Sequence, residues 1–110
     1  MALLVPQQIV YDGTLPTLGA AATTDTVRPD DRVFLWYKST QGTTEVITVV
    51  TPTTLNAFGQ SLPDIAVTIA ATTGEEMIGP MVQALADPAT GLITINITDV
   101  TGITVAAVRV

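Results

Sequence analysis

Histidine and cysteine are both absent from this 110-residue chain, and basic residues number only four, against ten acidic ones. Without cysteine there is no disulfide framework, no thiolate nucleophile and no thiolate-bound metal. Without histidine the usual imidazole base, proton shuttle and zinc ligand are missing too. These two gaps remove most familiar hydrolytic machinery and leave no expected cofactor or metal. Charge argues against nucleic acid. A phosphate backbone is gripped by clustered Lys and Arg that displace counterions, whereas Arg28, Arg32, Lys38 and Arg109 are scattered through a chain of net charge −6 and pI ≈ 4.1. Aromatics are scarce, with one Trp, two Tyr and two Phe. Long apolar runs are lacking as well, although mean hydropathy is +0.49. A spanning helix needs about 20 consecutive apolar residues, and here Thr, Pro, Gly or a charge interrupts every run, so no membrane association is expected. The opening Met-Ala-Leu-Leu-Val-Pro has neither a basic region nor a useful apolar stretch before Pro6, so it reads as no secretory signal. The expectation is a non-enzymatic, acidic, single-domain chain made in a cytosol.

What is present is Val, Ile, Ala and Thr. About one residue in six is threonine. β-Branched residues at this density lose side-chain freedom in helices and pack well on a pleated surface, so strands are the default.

Residues 1–30 carry Pro6, Gly13, Pro16, Gly19 and Pro29 between short apolar islands. Proline removes a ladder donor, so long paired strands are not expected there. The segment reads as an extended N-terminal arm with a short strand near 8–11 and an edge strand across 23–28.

From residue 31 the pattern tightens into a second region, 31–110. In 32–38, Val33, Leu35 and Tyr37 share one face and Phe34 and Trp36 the other. Residues 39–43 read as a turn into a second strand at 44–51, which predicts a hairpin. Residues 52–63 read as a long loop. Ile65, Val67 and Ile69 alternate with small or polar residues, as do Ile93, Ile95 and Ile97. Between them come a short strand at 75–78, stopped by Gly79-Pro80, and one or two helical turns at most within 81–90. Gly102 leads into a last strand at 103–110. The predicted fold is all-β: a single antiparallel β-sandwich, jelly-roll or Ig-like, with the extended arm in front.

Candidate chemistry is thin. Asp30-Asp31 and Glu75-Glu76 are the adjacent carboxylates, but neighbours on a strand point to opposite faces, and no calcium-loop spacing exists. Ser39 and Ser61 lie in predicted turns with nothing to activate them. Trp36 has two readings, as an anchor between sheets or as a contact with a partner. A sandwich buries one face of each sheet, so a strand apolar on both faces needs a neighbouring chain or the folded-back arm as cover. Interfaces are enriched in such aromatics.

The run Asp31-Arg32-Val33-Phe34-Leu35-Trp36-Tyr37-Lys38, then Ile47-Thr48-Val49, Val67-Thr68-Ile69, Ile78-Gly79-Pro80, and Asp99 through the Thr-Val-Ala-Ala run to Val108 resembles the small head decoration proteins of tailed bacteriophages, mostly of actinobacterial hosts. The resemblance covers about residue 30 to the last residue. It departs after Pro80, where Met81-Val82-Gln83-Ala84 replaces a Pro- and aromatic-rich loop. It implies a virion protein, made in the bacterial cytoplasm, that docks on the outer surface of the head and cements neighbouring copies of the major capsid protein as a homo-oligomer, with a trimer favoured. On that reading Leu3, Leu4, Val5, Ile9 and Tyr11 anchor the arm to the capsid. Phe34 and Trp36 pack between protomers or under the arm. Two other readings stay open: an Ig-like or carbohydrate-binding adhesion module, and a tail or baseplate subunit.

Overall fold

The computed structural model describes residues 2–13, 15–52 and 63–110. Among the described residues ten strands follow one another: β1 Ala2–Leu4, β2 Gln7–Gln8, β3 Gly19–Ala20, β4 Thr24–Val27, β5 Val33–Ser39, β6 Glu45–Val49, β7 Ile65–Ile69, β8 Glu75–Ile78, β9 Ile93–Ile97 and β10 Ile103–Arg109. One 3₁₀ turn, Gln83–Leu85, falls in the stretch expected to hold one or two helical turns. The expected long loop at 52–63 lies, apart from its two end prolines, outside the described residues. Its flanks are held together, since the Thr51 amide donates to Asp64 Oδ1 at 2.8 Å and Thr51 Oγ1 to the Pro63 carbonyl at 3.0 Å.

The strands form two sheets packed on one another in a β-sandwich-like all-β fold. The first has the order β1-β4-β9-β6-β7; the second runs β2-β10-β5-β8, with β3 also on β10. The spine of the second sheet is the pairing of β5 with β10 over seven residues, Val33↔Arg109 to Ser39↔Ile103. Alternation along these strands decides what is buried. Val33, Leu35 and Tyr37 point inward with Ile103, Val105 and Ala107, and meet Ile47, Val49, Ile69, Val27 and the Ile93-Ile95-Ile97 row of the first sheet in a single core. Burying branched aliphatic side chains at this density is the main stabilising force, about 1.5–3 kcal/mol for each fully buried one.

Two expectations need correction. The predicted hairpin of β5 and β6 does not form: β5 pairs with β10 and β8, while β6 pairs with β7 and β9. Residues 40–44 carry the chain from one sheet to the other, and their hydrogen bonds go to other connections, Thr40 N to the Gly102 carbonyl at 2.9 Å and Thr72 N to the Gln41 carbonyl at 2.7 Å. Alternation specifies which face of a strand is buried, not which strand lies beside it, so proximity in sequence misled here. The sheets are also mixed rather than purely antiparallel, because β1 runs parallel to β4 and β2 parallel to β10. Strands so far apart in sequence are free of the hairpin constraint that imposes antiparallel pairing.

The stretch read as an arm, 1–30, contains four of the strands. Its β4, expected as an edge, has β9 on one side and β1 on the other, and Val27 contributes a fully buried side chain to the core. Ahead of it, β1 lies along the first sheet and β2 along the second. The Gln7 side chain then clasps the following loop, its Nε2 donating to the Thr17 carbonyl and its Oε1 accepting the Thr17 amide, both at 2.8 Å. A side-chain amide here does what the peptide of a neighbouring strand would do.

Candidate functional site

Two surfaces of this fold leave large apolar side chains uncovered. The first is the outer face of the second sheet. Because Leu35 points inward, Phe34 and Trp36 point out, and register places Met77 beside Trp36, and Val108 and Ala106 beside Phe34 and Trp36. Trp36 is therefore not an anchor between the sheets; it lies half-buried on the outside. Its indole N–H donates to Glu75 Oε1 at 2.6 Å, and Lys38 Nζ stands 5.8 Å from the ring centroid. Both contacts restrain the ring on the outer face. Phe34 packs over Gly79, where an added Cβ would come within 2.7 Å of its ring, so glycine there is required by close approach. Val108 and Ala106 are buried despite facing outward, whereas Met77 is 57% exposed.

The second surface is the arm. Val5 is 74% exposed and Tyr11 entirely so, and Leu3 and Ile9 are each about half exposed. Leu4 differs from these, because β1 turns it inward and it packs against the core. The structure thus brings Leu3, Val5, Ile9 and Tyr11 to the surface and places Leu4 in a structural position. It also adds residues that sequence reasoning passed over: Val10, Leu15 and Met77 are exposed apolar side chains. Met77 was legible only with the pairing in hand, since Glu75-Glu76-Met77-Ile78 shows which residues alternate but not that Met77 falls beside Trp36.

The charged candidates are tied up locally. Asp30 accepts the Arg32 amide at 2.9 Å and pairs with Arg109 Nε at 3.0 Å, and Arg109 also reaches Gln8 Oε1 at 3.2 Å. Adjacent Asp31 is exposed. Glu75 and Glu76 sit on a strand and face opposite ways, as adjacent strand residues must. Among the described residues no three acidic groups converge in a way that could hold a metal, and no helix is long and apolar enough to cross a membrane.

Amide donation from Arg32 holds Asp30 below the usual carboxylate range, and the Thr101 amide, 3.0 Å away, does the same for Asp99. A carboxylate whose folded pKa is depressed stabilises the fold above its ordinary value, and that contribution disappears as pH falls through the folded one. The thermal midpoint is therefore expected to drop as pH is lowered below about 4. Asp99→Asn should give up this small contribution at neutral pH and so make the acid limb shallower; circular dichroism melts between about pH 2 and about pH 7 check it. An unaltered limb would assign the loss to other groups.

One ionisable group lies apart from all of these. Asp25, on β4, is 1% exposed and faces the core with Val27; Oδ2 accepts the Ala22 amide at 3.1 Å, while Oδ1 has no hydrogen-bond partner. The phenol oxygen of the fully buried Tyr37 likewise has none. Burial, and then the Asp25 charge, push the Tyr37 phenol up. The alternation Asp25-Thr26-Val27 carried the signal for this carboxylate, because Val27 inward places Asp25 inward as well.

Comparison of the chain with family models, with curated proteins and with solved structures finds no match.

Proposed function

We propose that this chain is a structural virion protein that binds the outer surface of a phage head and cements neighbouring copies of the major capsid protein. The observation that carries this reading is the set of large apolar side chains on the outside of the fold: exposed Leu3, Val5, Ile9 and Tyr11 near the start of the chain, and exposed Met77 beside half-buried Phe34 and Trp36 on the second sheet. Exposed apolar residues grouped in this way mark interaction surfaces. The strand order supports it. Leaving aside β1 and β2, the order β3-β10-β5-β8 over β4-β9-β6-β7, with every connection but β6–β7 crossing between sheets, supports a jelly-roll reading over an Ig-like one. Jelly rolls recur in viral shells and in lectins, so this is support by analogy of fold. Of the two, the shell role suits a surface with few aromatics and no converging polar groups.

On this reading the exposed arm residues dock on the capsid, and the Phe34–Trp36–Met77 face lies between protomers of a homo-oligomer, with a trimer expected where capsomers meet. Many copies of a weak contact on a lattice sum to firm attachment. Removing residues 1–14 and mixing the shortened chain with undecorated heads of the phage that encodes it tests the assignment. Occupancy is expected to fall by at least about tenfold, equivalent to about 1.4 kcal/mol per site, while circular dichroism shows the strands from β3 onward retained. Undiminished occupancy by the shortened chain would refute the arm's role. Density for the full chain on the tail instead of the head would move the protein to a tail or baseplate position.

A further inference from the structure

The buried carboxyl of Asp25 is carried by β4, the strand flanked by the three-residue accessory strand β1. β1 covers the outer flank of β4 through three register pairs, Ala2↔Asp25, Leu3↔Thr26 and Leu4↔Val27. Of its described side chains only Leu4 packs on the core, Leu3 is half exposed, and Val5 just beyond is largely in solvent. Three backbone pairs and one leucine are a light attachment. With β1 in place, Asp25 is sealed with one oxygen unpaired, an arrangement that penalises the charged form. With β1 gone, β4 becomes the edge strand of its sheet, with Asp25 at that edge.

We propose that β1 is a proton-linked strap: docking of Ala2–Leu4 and charging of Asp25 oppose each other, so acid favours the docked arm and neutral pH the released one. Tyr37, from β5 in the facing sheet, is a buried titratable side chain that feels the Asp25 charge. Across the pairing on β9 stands Ile95. Desolvation raises Asp25 and outweighs the Ala22 amide and the amino-terminal charge, which lower it. A carboxyl raised in the docked state binds its proton more tightly there, so the docked fraction falls as pH climbs out of the ordinary carboxylate range. The strap follows from these contacts alone and holds whatever the arm binds.

Hydrogen exchange of the intact chain, read by mass spectrometry on peptides covering 2–8 and corrected for intrinsic rate, tests it between about pH 4 and about pH 7. Protection of the arm is expected to fall with rising pH, by up to about tenfold per unit, while peptides from β5 and β10 stay protected. Asp25→Asn should abolish that slope. Leu4→Ala should speed arm exchange at every pH and keep the slope, which decides the matter if the Asn variant does not fold. A wild-type arm indifferent to pH, a slope that survives in Asp25→Asn, or equal loss in β5 and β10 would overturn the proposal.

Discussion

Gly74→Ala is expected to destabilise the protein by about 3 kcal/mol or more and to lower its thermal midpoint by roughly 10–20 °C. Gly74 is buried in the connection between β7 and β8, and its carbonyl accepts the Ser39 amide at 2.9 Å. A methyl group there would lie 2.0 Å from the Ala70 carbonyl oxygen and 2.8 Å from Ala70 C and N. These are backbone atoms, so no rotamer change relieves the overlap. The chain has to move apart where β7 hands over to β8, disturbing the Ser39 bond that ties this connection to the end of β5. Gly42 supplies the control. An added methyl there meets nothing within 4 Å, so Gly42→Ala should shift stability by no more than about 0.5 kcal/mol. Urea titrations of the two variants check the contrast. Equal effects would mean that glycine at 74 is not required by the approach of Ala70.

The second large effect separates the two faces of β5. Leu35 is fully buried, registered between Ala107 on β10 and Ile78 on β8. Leu35→Ala should cost about 2–5 kcal/mol, from lost transfer energy and the cavity left behind. Its neighbour Trp36 points outward, so Trp36→Ser should cost only about 1 kcal/mol, for partial burial and the Glu75 hydrogen bond. Function should respond in the reverse order. Trp36→Ser is expected to weaken self-association or head binding by about tenfold or more, as for an aromatic at the centre of an interface. Leu35→Ala, at a temperature where it remains folded, should bind like the parent. Denaturation and co-sedimentation with heads, run on both variants, read the two scales separately. If Trp36→Ser proved as destabilising as Leu35→Ala and left association unchanged, the outer face would be a packing surface and nothing more.

Much of the strand pattern was legible in the sequence. The row Ile93, Ile95, Ile97 and the row Val33, Leu35, Tyr37 are both inward-facing, as period-two alternation requires. The strand expected across 23–28 is β4 at Thr24–Val27, whereas the one expected near 8–11 meets β2, Gln7–Gln8, at Gln8 alone. The partners of these strands were not legible. β5 looked joined to β6 because only five residues separate them, yet each finds its neighbours in a different sheet. In β1 to β3 the runs are too short for any period to register, so parallel docking of β1 and β2 left no trace in the residue pattern.

The candidate surfaces divide the same way. That Phe34 and Trp36 share a face opposite Leu35 follows from alternation alone, and so does the need for something to cover them. That Leu4 belongs to the core while Leu3 and Val5 do not was decided by the register of β1 on β4.

The sequence by itself determined the class of chain. The β-branched composition and the period-two rows specify strands and the face each strand buries. These are properties of single residues and their nearest neighbours along the chain. Only the tertiary structure decided which strands pair, which apolar side chains stay outside, and that Asp25 is buried on β4 next to β1, its charge felt by Tyr37 of the other sheet. Those outcomes depend on contacts between residues far apart in sequence, where burial of the whole set selects one arrangement among many with equally good local patterns.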